Sequence, residues 1–195
     1  MKLKSRIIIS LMGVDGSGKT TLSKKINKLF INSKYLHLKP YIFFLDRRTV
    51  VKNPYALKKS STLFSLIRLI SWLISYKIFF YKNKCKKIYI FDRYAHDIAI
   101  DPIRYQHRLS SNLTNFILGY FPKPDLWIFL NTSKKTIKSR KNELSESELN
   151  LLTKKYSIFF KNQKNVLKLN TNTLIKKSIL QIKKKMKPLF KWKIY

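Results

Sequence analysis

Cysteine is nearly absent, and negative charge is scarce. One cysteine, Cys85, occurs in 195 residues. Without a second thiol no intrachain disulfide can form, which fits a reducing cytoplasm and leaves a structural role as the plainest one. Asp and Glu number nine against 42 Lys and Arg, for a formal net charge of +33. Arginine is also scarce: 34 of the basic residues are Lys and 8 are Arg. The lysines scatter along the whole chain, whereas dedicated nucleic-acid surfaces favour arginine for bidentate contacts. Lys, Ile and Asn are all abundant, the combination that AT-rich codons encode. The charge thus has two readings, compositional drift and a selected polyanion surface. Either one attracts anionic nucleotides and polyanions without specificity. Long unbroken apolar runs are lacking too. The stretch "STLFSLIRLISWLISYKIFFY" (61–81) is interrupted by Arg68 and Lys77 and diluted by serines, so it reads as a buried helix and not a membrane span. The opening "MKLKSRIIISLMG" has a short apolar run and no small-residue cleavage site, so it reads as a strand and not a signal peptide.

What the chain does have is apolar bulk, 45% of residues, enough for a substantial core despite the charge. Its length fits a single domain, 1–195. Strand-like and helix-like segments alternate. Residues 6–12, "KIYIF" (87–91) and "DLWIFL" (125–130) are continuous apolar runs, the mark of strands buried on both faces. "YLHL" (35–38), "YIFFL" (41–45) and "NVLKL" (165–169) are also strand-like. Helices are predicted over Lys19 to about Ile31, 60–82, 113–121, Lys134–Arg140, 144–160 and from about Thr173. Ser145 and Glu148 form a capping-box pattern at the head of the fifth. Such alternation predicts an α/β fold, a parallel sheet with helices on both faces and a ligand crevice at the carboxyl ends of the strands. The basic, aromatic tail (183–195) reads either as a solvated end or as a contact for an anionic surface.

Residues 13–21, "GVDGSGKTT", satisfy G-x-x-x-x-G-K-[ST] between a predicted strand and a predicted helix. The glycines let the backbone curl so that successive N–H groups converge on phosphate, and the helix start adds its dipole. The ATP-binding set is therefore Gly13, Asp15, Gly16, Ser17, Gly18, Lys19, Thr20 and Thr21. Lys19 is expected to bridge the β- and γ-phosphates and to face ligand, with the Thr20 hydroxyl on Mg²⁺. A second buried strand ends in Asp92-Arg93-Tyr94. An acidic residue there helps hold Mg²⁺, and an arginine beside it suits a phosphate.

On "GVDGSGKTTL", "FDRY" and "PKPDLWIFLNTS", and more weakly on "KKTIKSRK" and the last strand, the chain resembles the thymidylate kinase family of nucleoside monophosphate kinases. The resemblance implies a P-loop NTPase three-layer fold with a five-stranded parallel sheet flanked by helices. It also implies Mg²⁺-dependent transfer of the ATP γ-phosphoryl to dTMP, a lid over about 132–150, and a homodimer. It places Asp15 near the acceptor's sugar hydroxyl, and makes Asp92 the metal-side carboxylate and Arg93 the acceptor-phosphate arginine. Arg140, with Lys141 beside it, falls in the cationic lid. Tyr94 joins the substrate side, and Arg68 resembles the base-reading arginine.

The departures fall on acceptor recognition. Leu66-Ile67 replace the Ala-Asp that precedes the base-reading arginine, Lys39-Pro40 stands near where Arg-Glu-Pro is usual, and Asn131 replaces Asp. After Tyr94 the chain reads "AHDIAIDPIRYQHR". A phosphate acceptor needs positioning and charge neutralisation, which Lys19, Arg93, Arg140 and Mg²⁺ would supply. A sugar or nucleoside hydroxyl benefits from a carboxylate to take its proton, and Asp15, Asp92, Asp97 and Asp101 are available. Asp97 and Asp101 read equally as turn formers, and His96 and His107 as polar loop residues. A nucleotide-regulated polyanion-binding module without kinase activity is the third reading.

Overall fold

The computed structural model describes residues 6–40, 54–58, 60–83, 87–141, 143–171 and 175–189. The strand expected at 41–45, Cys85 and the last residues of the tail lie outside them. The chain divides into two compact units: one of Met1–His37, Cys85–Arg93 and Lys123–Tyr195, the other of Leu38–Lys84 and Tyr94–Pro122.

The first unit holds one sheet. Its strands are β1 (Arg6–Met12), β2 (Ser33–His37), β3 (Lys87–Asp92), β4 (Leu126–Asn131) and β5 (Val166–Asn170), in spatial order β2-β3-β1-β4-β5. Every pairing is parallel. Parallel pairing requires crossovers: α1 (Lys19–Leu29) lies between β1 and β2, α5 (Lys134–Arg140) and α6 (Glu146–Lys161) lie between β4 and β5, and α7 (Ile175–Met186) follows the last strand. Alternation along the strands sorts the two faces. Ile7, Ile9, Leu11, Ile88, Ile90, Leu126, Ile128, Leu130 and Leu169 share one core cluster with Leu22 and Ile26 of α1 and Ile182 and Met186 of α7. Trp127 and Phe129 alternate with them and meet Phe159 and Phe160 of α6, the Phe129 and Phe160 rings stacking at 4.8 Å. The capping box at Ser145 and Glu148 is formed.

Asp125 ties β4 to the centre of the sheet. Its carboxylate accepts from the Ile8 N–H at 2.8 Å, and its own N–H donates to the Ile8 carbonyl at 2.7 Å. The acidic residue of "PKPD" therefore extends the ladder and starts the strand in register.

The second unit contains α2 (Thr62–Lys82), α3 (Asp97–Ile100) and α4 (Ser111–Leu118). Its core is aromatic. Tyr76 packs edge-on to Tyr94 and Phe121, and Trp72 edge-on to Tyr105. The Tyr76 hydroxyl donates to the Leu38 carbonyl, and burial together with nearby Tyr94 pushes its pKa well up. The long helix expected at 60–82 is α2. By length and composition it could cross a membrane, but it buries Leu69, Trp72, Tyr76, Phe79 and Phe80 on one face. Its other face exposes Leu63, Phe64, Ile67, Ile70 and Ile74.

Replacing Asp125 by Ala is expected to lower stability by about 1–3 kcal/mol, because the Ile8 N–H loses its acceptor. Urea denaturation followed by circular dichroism measures this.

Candidate active site

The chain leaves β1 toward one edge of the sheet, to β2, and leaves β3 toward the other, to β4. The carboxyl ends of adjacent β1 and β3 are therefore a topological switch point, where α/β sheets bind ligands. Leu11 pairs with Asp92, and the Arg93 N–H donates to the Leu11 carbonyl at 2.9 Å. His37 pairs with Asp92 from the other side. Three strand ends thus meet around the loop that follows β1.

That loop needs its glycines. Gly13 has φ +151°, and a Cβ there would lie 2.8 Å from the Leu130 carbonyl oxygen. Gly18 caps α1 in the left-handed region at φ +89°. The turn closes through the Ser17 N–H to the Val14 carbonyl at 3.2 Å. Thr132, itself hydrogen-bonded to Thr171, reaches the Ser17 carbonyl at 3.4 Å.

Lys19 is buried, and its ammonium donates to the Gly13 and Val14 carbonyls at 2.9 and 2.8 Å. It also lies 3.6 Å from the Asp15 carboxylate. The ammonium expected to face ligand is thus folded onto the loop itself, with the Ser17 hydroxyl also at 3.5 Å. Arg93, in the left-handed region at φ 72°, forms an ion pair with Asp15. Asp15 is thereby bracketed by two cations. Arg140 donates to the Gly16 carbonyl at 3.2 Å and lies over the loop from the end of α5. Thr20 and Thr21 open α1 on its exposed side.

Thr20 donates to Asp92 Oδ2 at 2.6 Å. A hydroxyl has one hydrogen to give, so both Thr20 lone pairs stay available to a cation. Asp92 is 1% exposed, yet its Oδ1 is buried with no hydrogen-bond partner. Two hard oxygen donors beside a phosphate loop fit Mg²⁺, which takes few protein ligands and keeps waters and phosphate oxygens. Among the described residues no cluster of three His, Cys, Asp or Glu could hold a metal ion. Burial alone would raise the Asp92 carboxyl, but nearby His37, the hydrogen bond from Thr20 and the charge of Lys19 outweigh it and bring its pKa to about 2.

Sequence reasoning missed Tyr35 and His37. The Tyr35 hydroxyl donates to Asp92 Oδ2 at 3.0 Å, and His37 Nδ1 lies 3.6 Å from it. The signal was the alternation of "YLHL", which puts both residues on one side of β2.

Five of the expected residues lie in the second unit. Tyr94, expected on the substrate side, is fully buried, its hydroxyl on the Pro122 carbonyl and its ring stacked on His96. Its ring lies in that unit's aromatic core, edge-on to Tyr76. Asp97 accepts from the Tyr105 hydroxyl at 2.9 Å, while Asp101 takes the Tyr55 hydroxyl at 2.6 Å and the Arg104 N–H at 3.3 Å. Each aspartate thus holds a tyrosine hydroxyl, and Asp101 also a backbone N–H three residues on. Arg68 donates to Ser60 Oγ at 3.3 Å, and burial lowers its pKa. His107, expected in a polar loop, is buried; its Nε2 lies 2.8 Å from Thr114 Oγ1. Thr114 spends its only hydrogen on the Ser110 carbonyl, so Nε2 is the donor. Burial and nearby Arg68 push the imidazole down to about 4.

A carboxylate held below its ordinary 3.8 stabilises the fold fully above that pH and loses the contribution as pH falls through the lower value. Asp92→Asn is therefore expected to flatten the loss of unfolding free energy between about pH 4 and about pH 2. Urea denaturation across that range checks it.

Neither a family model nor a curated protein matches the sequence. Solved structures do resemble it. Deoxyadenosine kinase from M. mycoides, with products dCMP and a flexible dCDP bound, has a TM-score of 0.63 at 21% identity, over 93% of this chain and 100% of its own. Thymidylate kinase from Candida albicans has a TM-score of 0.63 at 21% identity, over 94% and 92%. Thymidylate kinase from Ehrlichia chaffeensis has 0.54 at 18%, over 92% and 98%. The chain has the α/β fold of these kinases, a five-stranded parallel sheet flanked by helices with the phosphate loop after its first strand.

Proposed function

We propose that the chain is an ATP-dependent phosphotransferase, a divergent relative of the thymidylate kinases, that carries the γ-phosphoryl of ATP to a nucleoside monophosphate, with dTMP the favoured acceptor. The observation that carries this reading is the Thr20–Asp92 hydrogen bond, which joins the phosphate loop to the end of β3 beside buried Lys19. The backbone N–H groups from Gly13 to Thr20 would cradle the ATP phosphates, with Lys19 on the β- and γ-phosphates. Thr20 and Asp92 would hold Mg²⁺, which neutralises phosphate charge when bound. Arg93 would present its fork of donors to the acceptor phosphate while Asp15 fixes the fork's orientation, and Arg140 would supply charge to the transferring group. None of these groups needs to act as a base, because a phosphate oxygen is already anionic.

A nucleoside hydroxyl is the competing acceptor. It is favoured by the equal likeness to a deoxyadenosine kinase and by the Asp15 carboxylate inside the loop. Phosphoryl transfer to a panel of nucleoside monophosphates, nucleosides and sugars separates the two. ADP release on dTMP addition supports the first reading. Inert monophosphates together with a phosphorylated nucleoside or sugar, lost in Asp15→Asn, overturn it. ADP release that responds to no acceptor favours the polyanion-binding module.

Lys19→Ala is expected to lower kcat by about 100-fold or more while leaving the far-ultraviolet circular dichroism unchanged. Arg93→Ala is expected to raise the acceptor KM by about 10- to 100-fold and the ATP KM far less, since a charge-assisted contact to phosphate is lost. Steady-state kinetics with each substrate varied measures both.

The homodimer that the resemblance implies has a face to use. Leu63, Ile67, Ile70 and Ile74 expose an aliphatic stripe along α2 at helical spacing, and a two-fold pairing would bury it against itself. Light scattering is expected to find a dimer in the native protein and a monomer in the Ile67→Glu, Ile74→Glu double variant.

A further inference from the structure

Asp92 is held by more than the two sequence motifs that meet at it. Thr20 and Tyr35 both donate to Oδ2, at 2.6 and 3.0 Å, and His37 Nδ1 stands 3.6 Å from the same oxygen. The other oxygen, Oδ1, is buried without a hydrogen-bond partner. The two oxygens of an ionised carboxylate are chemically equal, so the group has no preferred orientation of its own. Donors gathered on one oxygen select an orientation and leave the other as an uncompensated anionic acceptor. Buried polar atoms are ordinarily paired, and an exception calls for a ligand of matching chemistry. For an anionic oxygen beside a phosphate loop, that ligand is a divalent cation or a water bound to it.

Backbone geometry explains how β2 supplies these donors. Tyr35 and His37 are two residues apart, hence on one side of the strand, and they pair with Ile90 and Asp92 of β3. The tyrosine is long enough to reach forward to the end of the neighbouring strand. Neither the loop pattern nor "FDRY" requires a hydroxyl there.

We propose that Tyr35, assisted by His37, is a positioning residue for the Asp92 carboxylate, holding Oδ2 so that Oδ1 would be left for the cation that accompanies the nucleotide. This rests on the reading of Asp92 as the metal-side carboxylate. Groups that orient metal ligands commonly matter about 10- to 100-fold in metal affinity when removed.

Calorimetric titration of ADP, with Mg²⁺ and separately with EDTA, tests this on the full chain. Tyr35→Phe keeps the ring and removes only the hydroxyl. It is expected to weaken ADP binding by about ten-fold with Mg²⁺ and by less than about two-fold in EDTA, with an unchanged melting temperature. His37→Gln should shift binding in the same direction by less. A structural role would instead weaken both titrations alike or lower the melting temperature, and either result overturns the proposal. Asp92→Asn separates the two layers of inference. If it abolishes the Mg²⁺ dependence while Tyr35→Phe keeps the native dependence, the carboxylate's metal role stands and the positioning role falls. If Asp92→Asn itself keeps the native Mg²⁺ dependence, the metal role falls and the positioning role with it.

Discussion

The parallel register that sets Leu11 beside Asp92 is the constraint on which the rest of the site depends. It brings the end of β3 level with the start of the phosphate loop. From that position Asp92 meets Thr20, and Arg93 meets Asp15. A slip of one residue would turn Asp92 to the other face of the sheet and remove both contacts at once. The register is itself held by apolar alternation: Ile7, Ile9 and Leu11 of β1 share a face with Ile88 and Ile90 of β3 and bury with α1 and α7. Asp125 extends the same logic to β4, fixing that strand through the Ile8 backbone.

Acidic residues are scarce, and five of the aspartates are held at defined places. Asp15 lies between Lys19 and Arg93, Asp92 beneath Thr20 and Tyr35, and Asp125 against β1. Asp97 and Asp101 hold tyrosine hydroxyls and a backbone N–H in the second unit. In a chain of net charge +33, only Asp15 among these carboxylates stands between two cationic side chains, Lys19 and Arg93.

The two units differ in how they are built. The first is a sheet of aliphatic strands with an aromatic seam at α6. The second rests on aromatic contacts around Tyr76 and on tyrosine hydroxyls paired with carboxylates or carbonyls. Tyrosine suits that interior because the ring buries apolar area while the hydroxyl satisfies a polar group that would be costly to leave unpaired.

Periodicity and local chemistry were enough to determine much of this protein from sequence. Continuous apolar runs marked β1, β3 and β4, Gly-x-x-x-x-Gly-Lys-Thr marked the loop and the start of α1, and Ser145 with Glu148 marked the start of α6, because each signal lies within a few residues of the structure it specifies. The strand order was not legible, since it depends on which apolar faces meet at long range. Nor were the partners of the site residues. Arg93 on Asp15, Tyr35 and His37 at Asp92, Tyr94 in the core and Asp125 on Ile8 all join residues tens of positions apart. Only the tertiary fold decides such pairs, because hydrogen bonds and ion pairs act over a few ångströms in space and leave no spacing in the chain.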